Sequence, residues 1–201
     1  MRLGTHLLLA SALPALAAVA NAQSIVIATD TAGTQFSGTA QAGATLTVYI
    51  LARPGAAMNT GTTGAEFWVD GLPSDWQADV TPNPASFIVL GNPFATEPPF
   101  LASIAFPQCM QADGNGVVLL YTVVLHPASA STDVCLQVDY SPLYGPPEWP
   151  AGPILIACDP PAYTAVECQG GVFVVNPVTS DCASVGVERP SWETVKRLYA
   201  H

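Results

Sequence analysis

Apolar and polar residues alternate over several short stretches of the chain, which is the pattern of a β-strand with one buried face. Thr45–Ile50 carries an apolar residue at every second position. Ala65–Asp70 alternates in the same way, which predicts that Phe67 faces a core and that Trp68 faces outward. Both stretches are therefore predicted to be half-buried strands.

Further strands are predicted between turns that are rich in proline and glycine. They are Ile25–Thr29, Phe87–Leu90, Leu101–Phe106, Gly116–His126, Val134–Asp139, Ile154–Ala157, Tyr163–Cys168 and Val172–Val175. About ten short strands, with no amphipathic helix before the C-terminal end, are typical of an antiparallel β-sandwich. We therefore expect an all-β protein.

Three details of the strand arrangement are also predicted. Gly116–His126 is apolar on both faces near its start, so it should lie in the centre of a sheet. Val134–Asp139 alternates and should pair near it. Gln169–Gly171 separates the last two strands and should form a short hairpin turn.

The N-terminal end has the parts of a secretory signal peptide. Arg2 is followed by the apolar run Leu7–Ala20 and by a small-x-small cleavage site that ends at Ala22. This run is shorter than the roughly 20 apolar residues that span a bilayer, which favours a cleaved signal over a membrane anchor. The mature protein is expected to be secreted, periplasmic or at the cell surface, with no membrane span. The predicted domains are a signal peptide at 1–22, a β-sandwich at 23–182 and a tail at 183–201.

The tail differs from the rest of the chain in periodicity and in charge. Ser191 can cap a short helix over Trp192–Tyr199, and Arg189, Lys196 and Arg197 make the segment basic. A helix of this length is not stable alone in water. Three interpretations stay open: docking on the sandwich, recognition by an export or anchoring partner, and a passive extension. The candidate recognition residues are Trp192, Lys196, Arg197 and Tyr199.

The chain is strongly acidic, with 15 Asp and Glu residues against 5 Lys and Arg residues and a net charge of -10. Such a surface repels phosphate backbones and anionic lipid, so we expect neither a nucleic-acid nor a membrane-surface partner. Charged residues make up only 10% of the chain, which is the composition of a folded protein and not of a disordered one.

The cysteines agree with export, because disulfides form in oxidising compartments. All of them lie in the second half of the chain, at Cys109, Cys135, Cys158, Cys168 and Cys182. An odd number allows at most two disulfides and leaves one thiol free. Proximity along the predicted strands favours a bond from Cys158 to Cys168 or Cys182, and a second bond between Cys109 and Cys135. The spacing does not fit a zinc site, so no metal is expected.

Catalytic chemistry is not indicated by any recognised motif. His126 ends a strand and is predicted to be a solvated residue, not part of a triad. Glu66 and Asp70 share one strand face but would lie about 13 Å apart, too far for a pair of glycosidase carboxylates. Asp113–Gly116 resembles the start of a calcium loop, lacks its closing glutamate, and is predicted to be a turn. We expect a non-enzymatic protein without a cofactor.

Four aromatic residues outside the predicted core are the candidate ligand contacts. They are Trp68, Trp76, Tyr144 and Trp149. Their rings either stack on a ligand at the rim of the sandwich or fold back and cap its ends. In the first case the ligand would be a glycan or an extracellular protein.

The order of these elements resembles that of cohesin-like and related immunoglobulin-like bacterial sandwiches. The segments that carry the resemblance are Gln41–Ala44 before a Thr-x-Val strand, Gly64–Leu72, Val117–Leu125 and Thr132–Val138. The resemblance implies an immunoglobulin-like or cohesin-like antiparallel β-sandwich, here followed by the short C-terminal helix.

The chain is also similar to a group of uncharacterised secreted proteins from environmental bacteria. The shared segments are Gly71–Pro73, Val80–Pro84, Leu90–Pro93, Ile104–Pro107, Leu119–Thr122 and Cys158-Asp159, with the later Cys168 and Cys182. That group is expected to have a cysteine where this chain has Phe36, which would explain the odd number. The predicted function is a non-catalytic module that binds a glycan or protein, or an envelope component. The alternatives are a secreted hydrolase and a self-assembling surface subunit.

Overall fold

The computed structural model describes residues 23–98, 100–141 and 152–179 together with Cys182. Within these residues the chain forms thirteen strands and one 3-10 turn at Ala56–Met58, so the prediction of an all-β protein is confirmed. In chain order the strands are β1 (Ser24–Ala28), β2 (Ser37–Gly38), β3 (Leu46–Arg53), β4 (Gly61–Asp70), β5 (Gln77–Pro82), β6 (Ile88–Gly91), β7 (Ala102–Gln111), β8 (Val118–His126), β9 (Val134–Asp139), β10 (Ile154–Ala157), β11 (Ala165–Glu167), β12 (Gln169–Gly170) and β13 (Val172–Val175).

The strands form two sheets that share one hydrophobic core. The first sheet has the order β12-β1-β3-β8-β5. The second has the order β11-β10-β4-β9-β13-β2, and β7 pairs with β4 and with the outlying strand β6. Strand β4 organises the second sheet, because its first part pairs with both β10 and β7 while its last residues pair with β9.

The alternation in the sequence correctly predicts which side chains of β3 and β4 are buried in the core. Phe67 and Val69 on β4, and Val48 and Ile50 on β3, are at most 2% exposed and belong to the core between the sheets. Strand β8 lies between β3 and β5, as predicted for a central strand. The opposite face of β4 and its neighbours points away from this core.

Two details of the predicted strand pairing are wrong. Val134–Asp139 forms β9, which pairs with β4 and β13 in the second sheet and not with β8. The connection between β8 and β9 carries the chain from one sheet to the other, and alternation within a strand does not reveal such a crossing. Gln169–Gly171 is not a hairpin turn, because Gln169-Gly170 forms β12 and pairs in parallel with β1. Strands β11 and β13 pair with β10 and β9 instead of with each other.

The predicted disulfide pairing is also wrong. The bonds join Cys109 to Cys158 and Cys135 to Cys182, and Cys168 is a buried free thiol. Cys109 on β7 and Cys158 after β10 come from the two strands that flank β4, so they meet although they are distant in sequence. The expectation of two disulfides and one free thiol is confirmed. Desolvation raises the pKa of the Cys168 thiol to about 12, which keeps it protonated at neutral pH.

Several predicted features lie outside the described residues. These are the signal peptide at 1–22, the aromatic residues Tyr144 and Trp149, and the tail at 183–201 with its helix and its recognition residues. They remain predictions. Among the described residues, no helix is long and apolar enough to cross a membrane.

Replacing Tyr121 by phenylalanine should leave the protein equally stable or stabilise it by about 1 kcal/mol. The Tyr121 side chain lies in the core at 1% exposure, and its hydroxyl has no hydrogen-bond partner within the described part of the protein. Desolvation raises the pKa of this hydroxyl from 10.0, its value in the unfolded chain, to about 12 in the folded protein. The unfolded chain therefore loses this proton at a lower pH, and the wild type loses stability as the pH rises through this interval. Urea unfolding at pH 7 and pH 11 measures both effects. A variant less stable at pH 7, or equally sensitive to alkali, would contradict this assignment.

Candidate binding groove

A groove crosses the outer face of the second sheet, where four neighbouring strands β6, β7, β4 and β10 lie in register. One row of residues across these strands consists of Ile88, Ala105, Gly64 and Ile156. The next row consists of Leu90, Ser103, Glu66 and Ile154. Residues in one row point to the same side of a sheet, so both rows lie on the face opposite the core.

The floor of the groove is low because its central row carries almost no side chain. Gly64 and Ala105 stand next to each other there. A Cβ atom on Gly64 would lie 2.8 Å from the carbonyl oxygen of Ile104, so the backbone of β7 leaves no room for a larger residue. The two strands therefore form a depression with backbone close to its surface.

Exposed apolar side chains form the walls. On the side of β6, Phe87 is 60% and Leu90 is 63% exposed. On the side of β10, Ile156 and Tyr163 line the groove, and Tyr163 is 51% exposed. The groove has a volume of about 560 Å³ and is open to solvent on its outer side. This volume and the apolar lining are within the range of ligand-binding clefts.

A bulge in β7 and a disulfide close one end of the groove. Ala105 stands opposite Gly64 and Met110 opposite Thr62, so four residues of β7 face the single residue Thr63 of β4. This bulge pushes Pro107–Cys109 outward, where Cys109 bonds Cys158. Bulges of this kind are common next to functional sites, because they redirect side chains.

Glu66 lies at the other end and is the only charged residue among the described residues that line the groove. Its side chain is half-buried. The Ser103 hydroxyl donates a hydrogen bond to one carboxylate oxygen at 3.0 Å, and the Tyr140 hydroxyl donates to the other at 3.5 Å. No Lys, Arg or His among the described residues is paired with it.

The structure places the two described tryptophan candidates away from the groove lining. Trp68 lies on the outer face, as predicted, but its indole N–H donates to the carbonyl oxygen of Ala95 at 3.0 Å and its ring packs edge-on against Phe100. The loop between β6 and β7 thus covers much of this ring. Trp76 is 4% exposed and packs in the core, so its ring is not available to a ligand in this conformation.

His126 and Asp113, which the sequence offers for a catalytic and a calcium site, make only local contacts among the described residues. The imidazole of His126 lies 2.9 Å from the Asp79 carboxylate on the exposed surface of the first sheet. Asp113 accepts hydrogen bonds from the backbone N–H groups of Asn115 and Val117, which confirms a turn at this position. No group of three or more metal-ligating side chains occurs there.

The sequence patterns do not predict the groove, although two signals point to its residues. Gly64 is the smallest residue on the outward face of β4, and Phe87–Leu90 is a run of four apolar residues without alternation. Glu66 stands out in the sequence only as one member of a possible carboxylate pair.

Comparison with known proteins gives structural likeness alone. No family model and no curated protein sequence matches the chain. A cohesin module from a family 33 glycoside hydrolase of Clostridium perfringens has a TM-score of 0.49 at 11% identity, covering 78% of this chain and 98% of that one. The sixth cohesin of scaffoldin B from Acetivibrio cellulolyticus has a TM-score of 0.43 at 11% identity, with 78% and 99% coverage. The major pilin BcpA of Bacillus cereus has a TM-score of 0.39 at 9% identity, with 78% and 40% coverage. Likeness at this level assigns no ligand to the groove.

Proposed function

We propose that this protein is an exported, non-catalytic binding module whose groove holds an extended apolar segment of an extracellular protein. The observation that carries the proposal is the groove itself. It combines exposed apolar walls with a floor of Gly64 and Ala105, and isolated exposed apolar residues would not form such a surface. The two disulfides indicate an oxidising compartment and so support export.

The dimensions of the groove suit a short extended peptide. Its floor follows β4 from Thr63 to Glu66, and the disulfide between Cys109 and Cys158 lies at the end near Thr63. Four residues of extended strand correspond to about 13 Å. A peptide of four or five residues that runs along β4 would therefore fill it, with alternate side chains directed at the floor and walls.

The lining favours a peptide over a sugar or a hydrolysable substrate. Phe87 and Tyr163 offer exposed rings, as sugar sites do, but the polar side chains among the described lining residues are few. They are Thr63, Glu66, Ser103, Gln108 and the hydroxyl of Tyr163, and the rest of the lining is apolar or glycine. Glycoside hydrolysis needs a second carboxyl group, and Glu66 carries the only one among the described lining residues. The experiment below tests a glycan as the other outcome.

Replacing Ala105 by phenylalanine should weaken peptide binding by about tenfold or more, since the ring would fill the floor of the groove. Random ten-residue peptides displayed on phage, selected on the immobilised mature protein, supply the probes, and fluorescence anisotropy gives their affinities. The melting temperature should change little, because Ala105 faces away from the core. Leu90→Ser should weaken binding less, because it removes part of one wall.

Ala42→Phe is the matched control, since it adds the same ring at an exposed position outside the groove lining. Peptides that bind Ala105→Phe and Ala42→Phe equally well would refute the groove as the site. Absence of any enriched peptide, together with binding on a glycan array, would replace the peptide proposal by a glycan one.

A further inference from the structure

Glu66 is an ionisable group at the end of the groove. Both of its carboxylate oxygens accept hydrogen bonds, but the donors are the neutral hydroxyls of Ser103 and Tyr140. The described residues that line the groove include no basic side chain that could neutralise it. Within the part of the chain that the structure describes, these two hydroxyl groups are therefore the only side-chain partners of the carboxylate.

The one Lys or Arg within residues 23–182 makes its contacts elsewhere. Arg53 is the only Lys or Arg between residues 23 and 182. Its guanidinium group donates to the carbonyl oxygen of Gly33 and lies 5.5 Å from the centre of the Phe36 ring. Gly33 and Phe36 belong to the loop that follows β1, so the Arg53 guanidinium group does not pair with Glu66.

A segment that covers the groove would remove the Glu66 carboxylate from water. Removing a carboxylate from water is unfavourable unless it gains a partner charge or sufficient hydrogen bonds. A purely apolar segment would supply neither. A segment with a Lys or Arg at this point would exchange the lost hydration for a charge-assisted hydrogen bond.

We propose, on the basis of the proposed function, that the groove selects protein segments in which a Lys or Arg pairs with Glu66 and apolar residues fill the part over Gly64 and Ala105. Glu66 and Gly64 are two positions apart on β4. In an extended peptide along that strand, the basic residue therefore stands two positions from the apolar residue that covers Gly64. The net charge of -10 adds a long-range attraction for such basic partners.

Parallel selections on the wild type, Glu66→Gln and Glu167→Gln test this pairing. Glu167 is the matched control, because it is an acidic residue on β11 outside the groove lining. The same random ten-residue phage library is used for all three proteins. Peptides from the wild type and Glu167→Gln should carry Lys or Arg at one fixed position, two residues from an apolar one, and peptides from Glu66→Gln should keep the apolar positions without the basic one.

The affinity of one selected peptide then measures the pairing directly. Replacing its basic residue by norleucine, which removes the charge and keeps the four-carbon stem of a Lys side chain, should weaken binding to the wild type by about tenfold. The same replacement should have almost no effect on binding to Glu66→Gln.

The two proposals fail in different ways. Apolar enrichment without a basic position, or an equal effect of norleucine on both proteins, would overturn the pairing with Glu66 and leave the groove proposal intact. A lack of enriched peptides on all three proteins would overturn both.

Discussion

Replacing both Cys109 and Cys158 by serine should lower the free energy of unfolding by about 4 kcal/mol, since the bond closes a loop of 49 residues. The lost constraint on the unfolded chain accounts for this estimate. Urea unfolding measures the change while the bond between Cys135 and Cys182 stays intact. Cys168→Ala, which removes the buried free thiol without removing a bond, is the control and should cost about 1 kcal/mol or less.

The same double variant should also weaken peptide binding, because the disulfide holds the bulge of β7 against the end of β10 and closes the groove. Peptide mapping without reduction provides a separate check on the pairing. It should recover Cys109 with Cys158 and Cys135 with Cys182. A bond between Cys109 and Cys135, or a loss of stability no larger than that of the control, would contradict the structure.

Gly170→Ala should destabilise the protein by at least about 3 kcal/mol or prevent it from folding. A Cβ atom at this position would lie 1.7 Å from the carbonyl oxygen of Val138, a distance that only a shift of the backbone could relieve. Gly170 belongs to β12, which pairs with β1 in the first sheet, whereas Val138 belongs to β9 in the second. The close approach occurs where the chain passes from one sheet to the other.

Gly114→Ala is the matched control, because an added Cβ atom there would meet nothing within 4 Å. Expression yield and urea unfolding of the two variants give the comparison. If Gly170→Ala were as stable as Gly114→Ala, the crossing of the chain between the sheets would have to be different from the one described.

The elements of this fold follow from the sequence more readily than their partners do. Alternation predicts the faces of β3 and β4, because each strand buries every second residue in the same core. The pairing of β9 with β4 and the bond between Cys109 and Cys158 depend on which sheet each segment joins. The sheet that a segment joins depends on the connection before it. The sequence of such a connection carries little information about the direction in which the chain continues.

The groove was harder to predict than the fold for a related reason. Glu66 and Leu90 are distant in sequence, and they share a row only because β7 aligns β6 with β4. Alternation directs Trp68 outward and the turn residues around Trp76 predict a loop, yet Trp76 packs in the core and the loop before β7 contacts the Trp68 ring. A binding surface built from cross-strand rows becomes visible once the register is known.

Amide chemical-shift mapping by NMR during titration with a selected peptide tests the central claim most directly. If the groove binds an extended segment, the shifts should change in Thr63–Glu66, Phe87–Leu90 and Ser103–Cys109, which form its floor, one wall and its closed end. Changes confined to the outer face of the first sheet, or to the loop that covers Trp68, would contradict the account.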